Sequence, residues 1–114
     1  MDINELARGI VDSLENKKGE DILLLDIHDI ASFTSYFIIC TGTSNRMLGS
    51  LADGVLQDTL QHLKIKGHVE GTADGGWLVL DYGSIVVHLF SPELRSYYRL
   101  EELWSRGKVL LHIQ

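Results

Sequence analysis

A single cysteine in 114 residues excludes an internal disulfide and fits a reducing compartment. It lies in the run Tyr36-Phe37-Ile38-Ile39-Cys40, where a thiol behaves as a small buried hydrophobe. Basic residues are also scarce: ten Lys and Arg stand against sixteen Asp and Glu, for a formal net charge of -6. That balance excludes a protein that grips a phosphate backbone, because such binding needs a basic surface and released counterions. An acidic domain instead meets basic partners, with ribosomal proteins among them, and its charge steers the encounter. The five histidines have no metal-ligand spacing and no paired cysteines beside them, so neither a metal site nor a cofactor is expected. No apolar run has the length of a membrane-spanning helix. The acidic start Met1-Asp2-Ile3-Asn4-Glu5-Leu6 has the character of neither a signal nor a transit peptide, so a cytoplasmic protein is expected.

What is present is ordinary globular composition, 45% hydrophobic and 23% charged, at the size of one domain with one real core. Apolar residues at Ile3, Leu6, Ala7, Ile10, Val11 and Leu14 predict an amphipathic helix over residues 2–17, capped by Asp2 or Asn4. Residues 21–27 and 36–41 read as buried strands, the second of them central. Gly42-Thr43-Ser44-Asn45 ends that strand and caps a helix from about residue 46 to 64. A short extended piece follows around 68–70, and Ser91-Pro92 starts a terminal helix through Arg95 and Tyr98 toward Leu103-Trp104. The tail 106–114 has β character without an evident partner. The order predicts a mixed α/β fold with one sheet of about five strands and helices packed on it.

The stretch from Gly75 to Phe90 organises the chain, since two β-rich runs flank Tyr82-Gly83 and so form a hairpin. A turn at Tyr82-Gly83 pairs Asp81 with Ser84, Val79 with Val86 and Trp77 with His88. Alternation then gives one face of Leu78, Leu80, Ile85, Val87 and Leu89, which is core. The other face carries Trp77, Val79, Asp81, Val86, His88 and Phe90, a mixture suited to recognition. Trp77 is the anchor type most enriched in interfaces, and Asp81 is placed to accept from a partner's Lys or Arg. Tyr82 and His88 join from the turn and the neighbouring strand, and Arg95 is within reach of the same face. Helices covering this face would instead make Trp77 part of the core.

Catalysis finds less support. Gly42-Thr43-Ser44 ahead of a helix resembles a phosphate-binding turn, but it lacks the glycine spacing and Lys of a P-loop. A nucleotidyltransferase needs a pair of carboxylates on the following strand to hold magnesium, and only Glu70 stands there. His88 beside Asp81 reads as a hydrogen-bonding pair in a binding surface before it reads as a general base.

A wider pattern carries a family resemblance. The run Tyr36-Phe37-Ile38-Ile39-Cys40-Thr41-Gly42-Thr43-Ser44-Asn45-Arg46 is followed by Glu70-Gly71, Trp77, Asp81-Tyr82-Gly83, Val87-His88, Phe90, Arg95, Tyr98, Leu100-Glu101 and Leu103-Trp104. In order and spacing, from about Ile3 to Trp104, this resembles the ribosomal silencing factor family, also called Iojap-related. The resemblance implies one domain over 1–114, nucleotidyltransferase-like in fold but without that activity, with 106–114 as a C-terminal extension. It also implies binding to the large ribosomal subunit through its ribosomal protein fourteen, so that the small subunit cannot join and translation is repressed. A role in large-subunit assembly is the alternative, and a nucleotide-binding enzyme is the competing class. A homodimer through an unpaired sheet edge stays open.

Overall fold

The computed structural model describes residues 2–114; Met1, which opens the acidic start, lies outside the described residues. Helix α1 (Ile3–Asn16) begins where Asp2 accepts the Asn4 N–H at 3.0 Å, and it buries the periodic stripe from Leu6 to Leu14. Strand β1 (Glu20–Asp26) pairs antiparallel with β2 (Tyr36–Thr41). Helix α2 (Asn45–Leu63) crosses one face of the sheet, capped by Ser44, whose Oγ accepts the Met47 N–H at 3.1 Å. Strands β3 (His68–Thr72), β4 (Trp77–Asp81) and β5 (Ile85–Phe90) follow as an antiparallel run, and β5 then lies parallel to β2. The helix-bearing excursion between β2 and β5 is what a parallel pair requires.

The sheet has six strands in the order β3-β4-β5-β2-β1-β6, one more than the count of about five expected from sequence. The addition is β6 (Lys108–Ile113), which pairs antiparallel with β1. Its partner was hidden because the apolar run Ile22–Leu25 of β1 gives no sign of which flank is open. With β6 in place, β1 has a neighbour on each side, and Ile22, Leu23, Leu24 and Leu25 are all buried.

Two hydrophobic clusters sandwich the sheet. Under α1 and α2 lie Ile22, Leu24, Ile38, Cys40, Leu78, Leu80, Ile85, Val87 and Leu89. On the opposite face Leu23, Leu25, Phe37, Ile39 and Phe90 meet Leu94, Leu100 and Trp104. These last residues come from α3 (Pro92–Tyr98), α4 (Leu100–Leu103) and the residue after α4. The single terminal helix expected from sequence is broken at Arg99, which takes φ 51. The break turns the chain so that both Leu100 and Trp104 pack on this second cluster.

The hairpin register also differs from the expected one. Asp81 pairs with Val86, Val79 with His88 and Trp77 with Phe90, because the turn sits at Gly83-Ser84, one residue later. The Asp81 carboxylate accepts the Gly83 N–H at 2.7 Å, and Gly83 supplies φ 80 at the first turn position. The pairing sum changes by two residues, so each side chain keeps its face. The core face is accordingly the one expected.

Ile38 is fully buried on a central strand, so Ile38→Ala should lower unfolding free energy by about 3–4 kcal/mol in urea titration. Val109→Ala, at an exposed position of β6, should change it by less than about 0.5–1 kcal/mol.

Candidate partner-binding surface

The second cluster covers the sheet unevenly. Beneath it His88 is 8% exposed and Phe90 fully buried, whereas one strand outward Trp77, Val79 and Asp81 are only half-buried. Directly paired residues share a face, so Thr72, Glu70 and His68 of β3 stand beside Trp77, Val79 and Asp81 respectively. All three of these β3 residues are exposed. The result is an open sheet surface over β3 and β4 with an indole at one end and two carboxylates along it.

Trp77 is held on several sides. Its ring centroid lies 4.9 Å from Phe90 and 4.8 Å from Tyr98, and its Nε1–H donates to His88 Nδ1 at 3.2 Å. Tyr97 meets Tyr98 edge-on at 5.0 Å and is 77% exposed, so an aromatic run leads from the half-buried indole out to solvent. Acceptance at Nδ1 means that His88 is neutral, with its proton on Nε2. Burial pushes its pKa down to about 4, and Nε2 is buried without a hydrogen-bond partner among the described residues. A neutral, packed imidazole is a poor general base near neutral pH but a good orienter of an indole.

Of the residues singled out from sequence, the structure brings Trp77 and His88 together and sets Asp81 along the same face. Tyr82 points to the other side of the sheet, where it packs toward α2 and its hydroxyl lies 2.9 Å from Thr59 Oγ1. Arg95 sits over the end of β2 and the start of β1, donating to Thr41 Oγ1 at 2.9 Å and pairing with Glu101 at 3.1 Å and Asp21 at 3.4 Å. Its charge is matched locally, with no contact to Trp77. Sequence reasoning gave His68, Glu70, Thr72, Tyr97 and Tyr98 no part in this face. The extended piece at 68–70 was visible, and pairing it with the hairpin would have placed Glu70 beside Val79.

The Gly42-Thr43-Ser44 turn is closed from within. Ser44 caps α2, and a Cβ on Gly42 would approach Leu48 Cδ2 to 2.8 Å, so the helix's own leucine occupies the space against the turn. Cys40 is fully buried, and desolvation pushes its thiol up to about 12. It is an unreactive core group.

The chain forms a single α/β domain on a six-stranded mixed sheet whose outlying β3–β4 face is left open. Residues 1–113 match the model of the family described as "Ribosomal silencing factor during starvation", and the chain belongs to that family. It is 38% identical to ribosomal silencing factor RsfS of Chromobacterium violaceum over 95% of this chain and 88% of that protein. It is 34% identical to mouse mitochondrial assembly of ribosomal large subunit protein 1, over 84% of this chain and 43% of that protein. A crystal structure of a Chromobacterium violaceum protein superposes with a TM-score of 0.87 at 34% identity, covering 100% of this chain and 94% of that one. The relatives are named as silencing or assembly factors and not as enzymes, which agrees with a non-enzymatic reading of the chain.

His88 generates a pH dependence. Its folded pKa lies below the unfolded value of 6.5, so between pH 6.5 and about 4 the unfolded chain binds a proton that the fold refuses. Stability should therefore fall on acidification across that window, by up to about 3 kcal/mol. Asp26 and Asp58, whose carboxyls are held below 3.8 chiefly by hydrogen bonds from His28 and Ser13, lose their contribution at lower pH. His28, raised above 6.5 chiefly by its hydrogen bond with Asp26, acts above the window. Urea titrations at pH 6.5 and 4.5 should show the loss in the native chain, and His88→Gln, which keeps an acceptor but does not titrate, should flatten it.

Proposed function

We propose that this protein binds the large ribosomal subunit through its ribosomal protein fourteen, over the β3–β4 face, and thereby prevents the small subunit from joining. The observation that carries the reading is the open face itself: Trp77 half-buried and braced by His88 and Phe90, with Glu70 and Asp81 exposed or half-exposed beside it. A braced tryptophan loses little side-chain freedom on binding, which is the property of an anchor. Carboxylates around it complement the Lys and Arg of a basic ribosomal protein and speed encounter at low salt. Tyr97 and Tyr98 extend the contact, and His88 serves by holding Trp77. Tyr82 and Arg95 support the surface from behind and from the sheet end.

The mechanism is occupancy. A domain of 12.8 kDa seated where the small subunit docks shifts the joining equilibrium by mass action, with no chemical step. The chain's place of work is then the cytoplasm, beside the ribosome. Among the described residues no helix is long and apolar enough to cross a membrane.

Purified protein added to isolated subunits should lower the joined fraction in a sucrose gradient. Trp77→Ala should weaken large-subunit binding by about 2 kcal/mol or more. Asp81→Asn, which keeps an oxygen for the Gly83 N–H, should remove the charge, slow association and flatten its salt dependence. Saturated large subunits that still join normally would rule out occlusion and favour an assembly role.

A further inference from the structure

Acidic residues outnumber basic ones over the whole chain, but not along every edge. Between Asp58 and Glu70 stand His62, Lys64, Lys66 and His68, with no carboxylate among them. All four are exposed, and none forms an ion pair among the described residues. Asp58 is engaged by Ser13 Oγ and Lys17 Nζ, and Asp81, across from His68, accepts the Gly83 N–H. Glu70 lies two residues beyond His68 and belongs to the open face.

The fold fixes this ridge in place. Lys64 is the C-cap of α2 with φ 59, and its Nζ donates to the Gln61 carbonyl at 3.1 Å. Ile65 packs against the core under α2, and Lys66 follows it exposed. Gly67 is buried against the Tyr82 ring, where a Cβ would approach Cζ to 2.6 Å, so the segment is held down at this point. His68 then opens β3, the outermost strand, opposite Asp81. The helix dipole accounts for His62 and Lys64 at the end of α2. It does not account for Lys66, which lies beyond the helix.

We infer that, in the complex proposed above, Lys64 and Lys66 lie against phosphates of the large subunit's RNA while the acidic face lies against its ribosomal protein. A ribosomal surface sets two chemistries side by side, basic protein and polyanionic backbone, and a binder seated across their boundary needs both signs in matching order. The basic ridge borders the acidic face at its Asp81 end, which is that order. The low basic content of the chain excludes a protein held to RNA by charge alone, and a two-lysine contact stays within that limit. Phosphate contacts carry no base information, so the ridge orients the chain on the subunit and selects no sequence.

This inference rests on the proposed ribosomal contact, and a salt series separates the two. The chain carrying both Lys64→Gln and Lys66→Gln is titrated against isolated ribosomal protein fourteen and against whole large subunits. Taking cations from an acidic binder leaves its affinity for an isolated basic protein unchanged or tighter. On whole subunits the same variant should bind about tenfold more weakly near 0.1 M salt, with the slope of log affinity against log salt shallower by about 1–2. Lys18→Gln with Arg106→Gln removes equal charge at exposed sites off the ridge and should leave subunit binding within about twofold of native. A ridge variant that binds subunits with native affinity and slope overturns the inference, and so does a control pair that weakens binding equally. Weaker binding with an unchanged slope would mean a protein contact and overturns it as well. A native chain that ignores isolated ribosomal protein fourteen overturns the protein contact instead, and the subunit slopes still decide the ridge.

Discussion

The parallel contact between β2 and β5 is the constraint on which the rest of the molecule depends. Both strands lie in the middle of the sheet, and each must be covered on two faces, which one layer of helices cannot do. The helices α1 and α2 close one face, and the chain after β5 returns to close the other with Leu94, Leu100 and Trp104. That return requires the break at Arg99. The second layer is short, however, and on β4 it reaches Trp77 but leaves Val79 and Asp81 half-exposed.

The candidate site is a consequence of that incomplete cover. Trp77 lies where the aromatic cluster meets the open face, so one side of the indole is fixed by Phe90 and His88 while the surface around Asp81 and Glu70 stays accessible. The neutral state of His88 follows from the same burial, since an imidazole under a packed aromatic layer loses the hydration that its charged form needs. Fold and site are linked through one side chain, and the indole's orientation depends on a buried histidine.

Much of this was legible in the residues. The period of the apolar positions gave both long helices, Ser44 and Ser91 marked the starts of α2 and α3, and alternation along 77–90 separated the core face from the mixed face. The face assignment survived a misplaced turn because a two-residue register change preserves the parity of every side chain. Tyr82 was misread because the turn was placed on it. It pairs instead with Ile85, and ordinary alternation then sends its ring to α2 and the Asp81 carboxylate to the opposite side.

By itself, the sequence determined the mixed α/β class, the hairpin, the inertness of Cys40 in its apolar run and the acidic character of the surface. All of these follow from local pattern and composition. Tertiary structure decided that β6 completes the sheet, that Arg95 is occupied by Asp21 and Glu101, and that the mixed face is covered over β5 but open over β4. Those outcomes depend on where distant segments end in space: a strand's alternation says which side chains share a face, but not how far the opposing layer extends over it.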